Sequence, residues 1–307
     1  VTLLDDARVA AGAQLVEPPR VEITRAGVFY DMPDAVYHSD PVPSAWGGSI
    51  SRTGAKNLLP PKTPAHFQWW RENGDAPRDD WDFGHVAHTE LLGAGPPARV
   101  VEAKDWRTDA AKAAKAAARA AGEVPLLPRQ YAAALEMVRK VREHPIAGPL
   151  LFPGTGTAEV SLFWQNTDTG AWCRWRGDWL PARALPNGRF VLVDYKTAED
   201  ASDEAFGRAA AAHGYEIQEA AGCDGVRALG LHDDPEMVFV VQEKHPPYLV
   251  NVVELPEEAR ELGRRKWRQA QTLFARCTAE GRWPGYADET VSVAEYPRWA
   301  LARAGVL

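Results

Sequence analysis

The chain has 307 residues, 45% hydrophobic and 25% charged, which is ordinary for a globular protein and enough for one large domain or two modest ones. No apolar run reaches the roughly 18 residues a membrane span needs, and the opening VTLLDDARVAAGAQLVEPPR lacks the basic-then-apolar pattern of a secretory leader. A net charge of −7 speaks against a nucleic-acid binder for the chain as a whole, and three scattered cysteines (Cys173, Cys223, Cys277) give neither a C-x-x-C knuckle nor an even disulfide set, so a reducing, cytoplasmic setting is expected.

Residues 1 to about 45 are rich in Pro and Asp and lack periodicity, so they read as an irregular N-terminal arm. Residues 46–307 read as a single domain. SISRTGAKNLL opens it with a short helix for which Ser51 is a plausible N-cap. PKTPAHFQWW follows, a turn into an apolar segment. WDFGHVAHTELLG predicts a helix closed by a glycine, with His88, Leu91 and Leu92 sharing one face. Alanine-rich sequence then predicts a helical insert at about 105–125. Between Pro128 and Pro145 lies an amphipathic helix with Tyr131, Leu135, Val138 and Val141 on its stripe.

The period then changes to two. TAEVSLFWQ, AWCRWRGDWL and RFVLVDYK alternate like strands, and the turns NTDTG and PNG join them into an antiparallel meander. A helical region spans about 202–231. MVFVVQE and YLVNVVEL are two further strands, and PEEAREL opens a last helix running to about Glu280. The tail, with Trp283, Tyr286 and Trp299, reads as an aromatic loop. Helix, three strands, helix, two strands, helix is an α/β (α+β) order, with helices around a central mixed sheet.

Chemistry concentrates on the strands. Asp194 and Lys196 are two apart, so they share a face with Phe190 and Leu192, and an Asp-x-Lys pair inside an apolar strand is costly unless paired or metal-bound. A buried salt bridge is the plain explanation. Three features argue for more. Asp178 ends the preceding strand on the face of Arg174 and Arg176. Glu159 interrupts the first strand. Tyr215 and Gln218 form a Y-x-x-Q pair on the helix that follows the third strand. Two carboxylates and a lysine brought together would favour a divalent cation. The basic runs RRKWR and RWR read either as solvated faces or as phosphate contacts.

The αβββαβ order, with an Asp ending the second strand and DYK in the third, resembles the PD-(D/E)xK nuclease superfamily. Within it the chain looks most like the exodeoxyribonuclease VIII (RecE-like) and phage lambda-exonuclease-like group. SISRTGAKNLLPPKTPAHF, FGHVAH, AEVSLFW, CRWRGDWL, VLVDYKTAEDAS, GYEIQEAAG and WPGY fall in that group's order, across roughly Gly48 to Trp299. The resemblance implies roles for particular residues. His88 of G-x-x-x-H would be a metal ligand and Asp178 the metal-bridging aspartate. Asp194, where many relatives have Glu, and the backbone carbonyl of Tyr195 would be further ligands. Lys196 would be the catalytic lysine and Glu159 a ligand or its neighbour. Gln218 and Tyr215 would position water, lysine or DNA, with Arg174, Arg176 and Ser51 on DNA phosphates. It also implies one or two Mg²⁺ or Mn²⁺ ions and phosphodiester hydrolysis of linear double-stranded DNA from the 5′ end. A ring-shaped homo-oligomer and a single-strand annealing protein as partner are part of the same expectation. An endonuclease and a catalytically silent DNA-binding module of the same fold are the alternatives. Iron–sulfur relatives need four cysteines and are set aside.

Overall fold

The computed structural model describes residues 21–74, 82–287 and 290–305, so residues 1–20 of the expected arm and Trp81 at the expected helix start lie outside it. The arm expected to be irregular carries a strand, β1 (Gly27–Phe29), and a short helix, α1 (Asp34–His38). Three residues of strand hold no readable alternation, which is why β1 escapes a pattern search. A 3₁₀ turn at Ser44–Trp46 leads to α2 (Arg52–Leu58) and α3 (Pro64–Asn73). Ser51 caps α2, its hydroxyl accepting the Gly54 N–H at 3.1 Å. Next come α4 (Asp82–Leu92), β2 (Ala98–Val100), α5 (Asp109–Ala120), β3 (Val124–Leu126), α6 (Pro128–Glu143) and α7 (Ala147–Leu150). The alanine-rich insert is α5, capped by Thr108 and flanked by the parallel pair β2 and β3. The stripe of α6 is Ala134, Met137, Val138 and Val141, whereas Leu135, expected on it, is exposed.

The meander is β4 (Gly156–Gln165), β5 (Trp172–Pro181) and β6 (Phe190–Ala198). The helical region after it is two helices, α8 (Asp203–His213) and α9 (Tyr215–Ala228), parted by Gly214 at φ 71°. The chain ends with β7 (Pro235–Glu243), β8 (Val250–Val253), α10 (Glu257–Glu280) and a short α11 (Arg298–Arg303) inside the tail expected to be loop. The six-stranded sheet has the order β1-β4-β5-β6-β7-β8. Its pairs are antiparallel except β6 with β7, which the α8–α9 crossover makes parallel. The expected mixed sheet among helices is therefore the observed one.

Both faces of the sheet are covered. On one, Val160, Leu162, Trp164, Trp175, Leu192 and Phe239 meet α9 and α10 through Ile217, Ala221, Trp267 and Phe274. On the other, Val191, Val193, Tyr195 and Val240 meet α4 and α6 through Val86, Leu91, Met137 and Val141. The helices α9 and α10 touch closely at Gly263, where an added Cβ would lie 2.1 Å from the Glu216 carbonyl oxygen. Gly263→Ala should gain about 1 kcal/mol of helix propensity, but the clash is with backbone and cannot swing away. We expect net destabilisation of about 2 kcal/mol by urea unfolding, and an unchanged midpoint would contradict the tight contact.

Candidate active site

A defect in the sheet creates the site. Strands β5 and β6 pair through Trp179 and Val193. Next to that pair the Asp178 carboxylate does the work of a ladder carbonyl, its Oδ2 accepting the Tyr195 N–H at 2.8 Å. The neighbouring strand β4 reverses its faces here. Val160 looks toward α9, but Ala158, two residues away, packs on the α4 side. Residues two apart normally share a face. Glu159 between them has φ 53°, a left-handed backbone that costs a non-glycine residue roughly 1 kcal/mol. The reversal turns the Glu159 side chain toward Asp178.

The third side of the site comes from α4. A Cβ on Gly84 would sit 2.9 Å from the Thr197 hydroxyl of β6, so glycine lets the helix lie against the strand. One turn later His88 reaches the carboxylates. Its Nε2 is 3.3 Å from Asp178 Oδ2 and 3.7 Å from Glu159 Oε1. One ligand-capable atom from each of the three residues lies within 4.8 Å of the others. An imidazole nitrogen with two carboxylate oxygens is a donor set that fits Mn²⁺ or Mg²⁺, and two like charges held this close gain from a cation between them.

Electrostatics follow the geometry. Burial pushes Glu159 up to about 7, reinforced by the Asp178 charge. Burial alone would lower His88, but the charge and hydrogen bond of Asp178, with Glu159 behind it, hold it above an ordinary imidazole. Burial would raise Asp178, yet the charge and hydrogen bond of His88, the charge of Lys196 and the Tyr195 N–H hold it below the usual carboxylate range. His88 and Glu159 must both lose protons before they can ligate. Cation affinity should therefore rise with pH through Glu159's value of about 7, by about tenfold per pH unit for each proton released. Mn²⁺ titrations at about pH 6 and about pH 8 check this, and equal affinities would contradict it.

Asp194 lies on the other side of the fork. It is 1% exposed and is held by two side chains, the Gln218 amide donating to Oδ1 and the Lys196 ammonium pairing with Oδ2. Burial first, then the Asp178 charge, raise Asp194, while burial alone would lower Lys196 and its two carboxylate neighbours raise it. The expected convergence of Asp178, Asp194 and Lys196 on one cleft thus holds in a divided form. The compact trio able to hold a metal is His88, Glu159 and Asp178, while Asp194 pairs with the lysine. The Y-x-x-Q pair spans both partners: Gln218 binds Asp194, and the Tyr215 ring lies with its centroid 5.4 Å from Lys196 Nζ.

Three expected phosphate contacts are corrected. Arg174 is 6% exposed, paired with Asp40 at 2.7 Å and bonded to the Ser49 carbonyl and hydroxyl. Arg176 donates to the Ser161 hydroxyl, the Met32 carbonyl and Asp34, over the face of Tyr37. Alternation puts both arginines on a strand face but does not say what covers that face. Here the arm does, so both cations are already neutralised. Ser51 is likewise spent as a buried helix cap. Much of the run RRKWR is paired as well, Arg264 with Glu257 and Glu261 and Lys266 with Glu216. In the tail, Trp283 docks on Phe67 and Phe274, while Tyr286 and Trp299 remain exposed.

Sequence reasoning missed Gln242. Buried on β7, it accepts the Tyr195 hydroxyl at 2.6 Å and donates to the Met137 and Tyr248 carbonyls, tying β6 beside the site to α6. Its signal was a lone amide at the end of the apolar run MVFVV.

The model of the family described as a PDDEXK-like domain of unknown function (DUF3799) matches residues 82–295, most of the chain. The chain belongs to this family. Its PDDEXK-like core holds His88, Glu159, Asp178, Asp194, Lys196 and Gln218, all inside the matched residues. Among solved structures, the PDDEXK-like chain is similar to a crystal structure named "Putative exonuclease" from Eubacterium rectale. The TM-score is 0.55 at 11% identity, covering 91% of this chain and 100% of that one. At that identity the likeness concerns the fold. A second structure, SSO0001, aligns at TM-score 0.26 and 13% identity over 66% of this chain and 85% of its own, which carries no argument. No curated protein matches the sequence. The expected nuclease superfamily is thus met at the level of the PDDEXK-like family. Among the described residues no helix is long and apolar enough to cross a membrane.

Proposed function

We propose that this PDDEXK-like chain is a metal-dependent deoxyribonuclease that degrades linear double-stranded DNA from its 5′ ends. One observation carries the reading: the His88–Glu159–Asp178 trio stands beside a lysine paired with Asp194, which Gln218 in turn holds. His88, Glu159 and Asp178 would hold Mg²⁺ or Mn²⁺, one ion or two, with Asp194 and the Tyr195 carbonyl as the remaining candidate ligands. Such an ion polarises a phosphoryl oxygen and makes bound water acidic.

The chain's own groups do the rest. Lys196, kept charged by Asp194, would stabilise negative charge growing on the phosphate or orient the attacking water. Gln218 would keep Asp194 turned to Lys196. Tyr215, beneath the ammonium, would limit its swing and offer a face to the substrate. Asp178 would keep His88 oriented while itself fixed by the Tyr195 N–H.

The resemblance to the exodeoxyribonuclease VIII-like group supports the finer points: 5′ polarity, a role in phage-type recombination in the cytoplasm, a ring of several copies around DNA, and a single-strand annealing partner. Duplexes labelled at the 5′ or 3′ end, incubated with Mg²⁺ beside a covalently closed circle, test the reaction. Early release of the 5′ label with the circle intact is expected. A cut circle would make the protein an endonuclease, and intact linear DNA would make it a silent binding module. Light scattering that finds only monomers, with and without DNA, would remove the ring.

A further inference from the structure

Beside the lysine stands a cation that the site chemistry above does not use. Arg52 is the first residue of α2, partly buried, with its guanidinium carbon 5.8 Å from the centroid of the Tyr215 ring. Lys196 approaches the same ring. Arg52 Nη2 donates to the His213 carbonyl at 2.6 Å. Its Nε is shut off from water without a partner. Its Nη1 has no hydrogen-bond partner among the described residues, nor does any described carboxylate pair with it. The nearby Asp194 is already engaged by Lys196 and Gln218.

Arg174 and Arg176 show the contrast: each is enclosed, and each has an aspartate of the arm. Arg52 is half-buried and shares the single Asp194 charge with Lys196, so a guanidinium with a stranded Nε and a spare Nη1 gains from a further anion. The Tyr215 face beneath Arg52 fixes the plane of its donors, and a planar fork suits a phosphate better than any protein group left nearby.

We propose that Arg52 is a substrate-contacting residue that binds a DNA phosphate next to the one being hydrolysed, with Tyr215 as its platform. This rests on the nuclease reading above and adds a residue to it. The phosphate is either an internal diester or a terminal monoester, and both present the same oxygens.

The test compares wild type, Arg52→Met, Arg52→Gln and Arg52→Lys on duplexes ending in 5′-hydroxyl or 5′-phosphate. Cleavage kinetics are measured in Mg²⁺, and binding in Ca²⁺ over a salt series. For Arg52→Met, KM and Kd should rise by about tenfold while kcat changes little. The slope of log affinity against log salt should shrink by about one phosphate's worth. Arg52→Lys should keep the slope while losing part of the affinity. An equal loss on both ends assigns an internal phosphate, and a loss confined to the phosphorylated end assigns the terminus. Melting temperatures guard against a folding defect, and Arg52→Gln, which keeps a polar amide at about the position of Nε, stands in if the Met variant unfolds. Wild-type Kd and salt slope in the Met or Gln variant, with wild type active, would overturn the inference alone. So would a fall in kcat at unchanged KM, because Arg52 would then act through Lys196. A wild type that neither binds nor cuts DNA would take the nuclease reading down with it.

Discussion

Asp178→Asn should remove measurable Mn²⁺ binding and slow DNA digestion by about a thousandfold or more, while leaving the protein folded. Asparagine keeps an oxygen for the Tyr195 N–H, so the join between β5 and β6 survives. It loses the charge that His88 and Lys196 both answer. With Asp178 neutral, His88 falls back toward an ordinary imidazole and the trio loses one of its two anionic oxygens. Titration calorimetry with Mn²⁺ reads the binding, and circular dichroism and melting read the fold. Digestion at the wild-type rate by the Asn variant would end the assignment of this cluster as the catalytic centre. Lys196→Ala is the companion, expected to cost about a hundredfold or more in kcat with Mn²⁺ binding retained. That split between binding and turnover separates the lysine's role from the ligands' role.

Asp40→Ala should destabilise the protein by about 3 kcal/mol, at the lower end of what stripping one partner from a buried ion pair costs. The pair is enclosed, and Asp40 also accepts from the Ser49 N–H and hydroxyl, so its removal strands several donors at once. Arg174 would retain its bonds to Ser49, which keeps the loss from being larger. Adding Arg174→Met should recover much of it, because an apolar side chain needs no counter-charge. Urea unfolding of the two single variants and the double variant closes the cycle. Strictly additive losses would mean that the pair does not couple the arm to the sheet.

The candidate site side chains were readable because they break a pattern. Asp194 and Lys196 interrupt an apolar strand, Glu159 an alternating one, and Tyr215 and Gln218 share one helical face. Their convergence depended on the order of elements, which periodicity also gave. Three other parts were hidden for physical reasons. Alternation assigns a face but not its occupant, so Arg174 and Arg176 looked available although Asp40 and Asp34 had taken them. A single left-handed residue reverses faces without leaving a mark in an alternating run, so the turning of Glu159 into the site, and the division of Asp178 from Asp194, could not be counted off the chain. Arg52 sat next to a serine that read as a helix cap, and nothing local says whether an arginine has a partner.

The arm has a consequence for how this protein is divided. The family match begins at Asp82, yet two cations well inside it depend on aspartates at positions 34 and 40. The β4 edge, too, is covered by residues 27–29. A fragment cut at the start of the match would keep His88, Glu159, Asp178, Asp194 and Lys196 but lose Arg52. It would leave Arg174 without its aspartate and Arg176 with Glu159 at 3.9 Å as its remaining carboxylate, beside an open strand edge that invites self-association. The stretch that relatives share and the stretch that can stand alone therefore have different lengths, and the difference is set by charge balance.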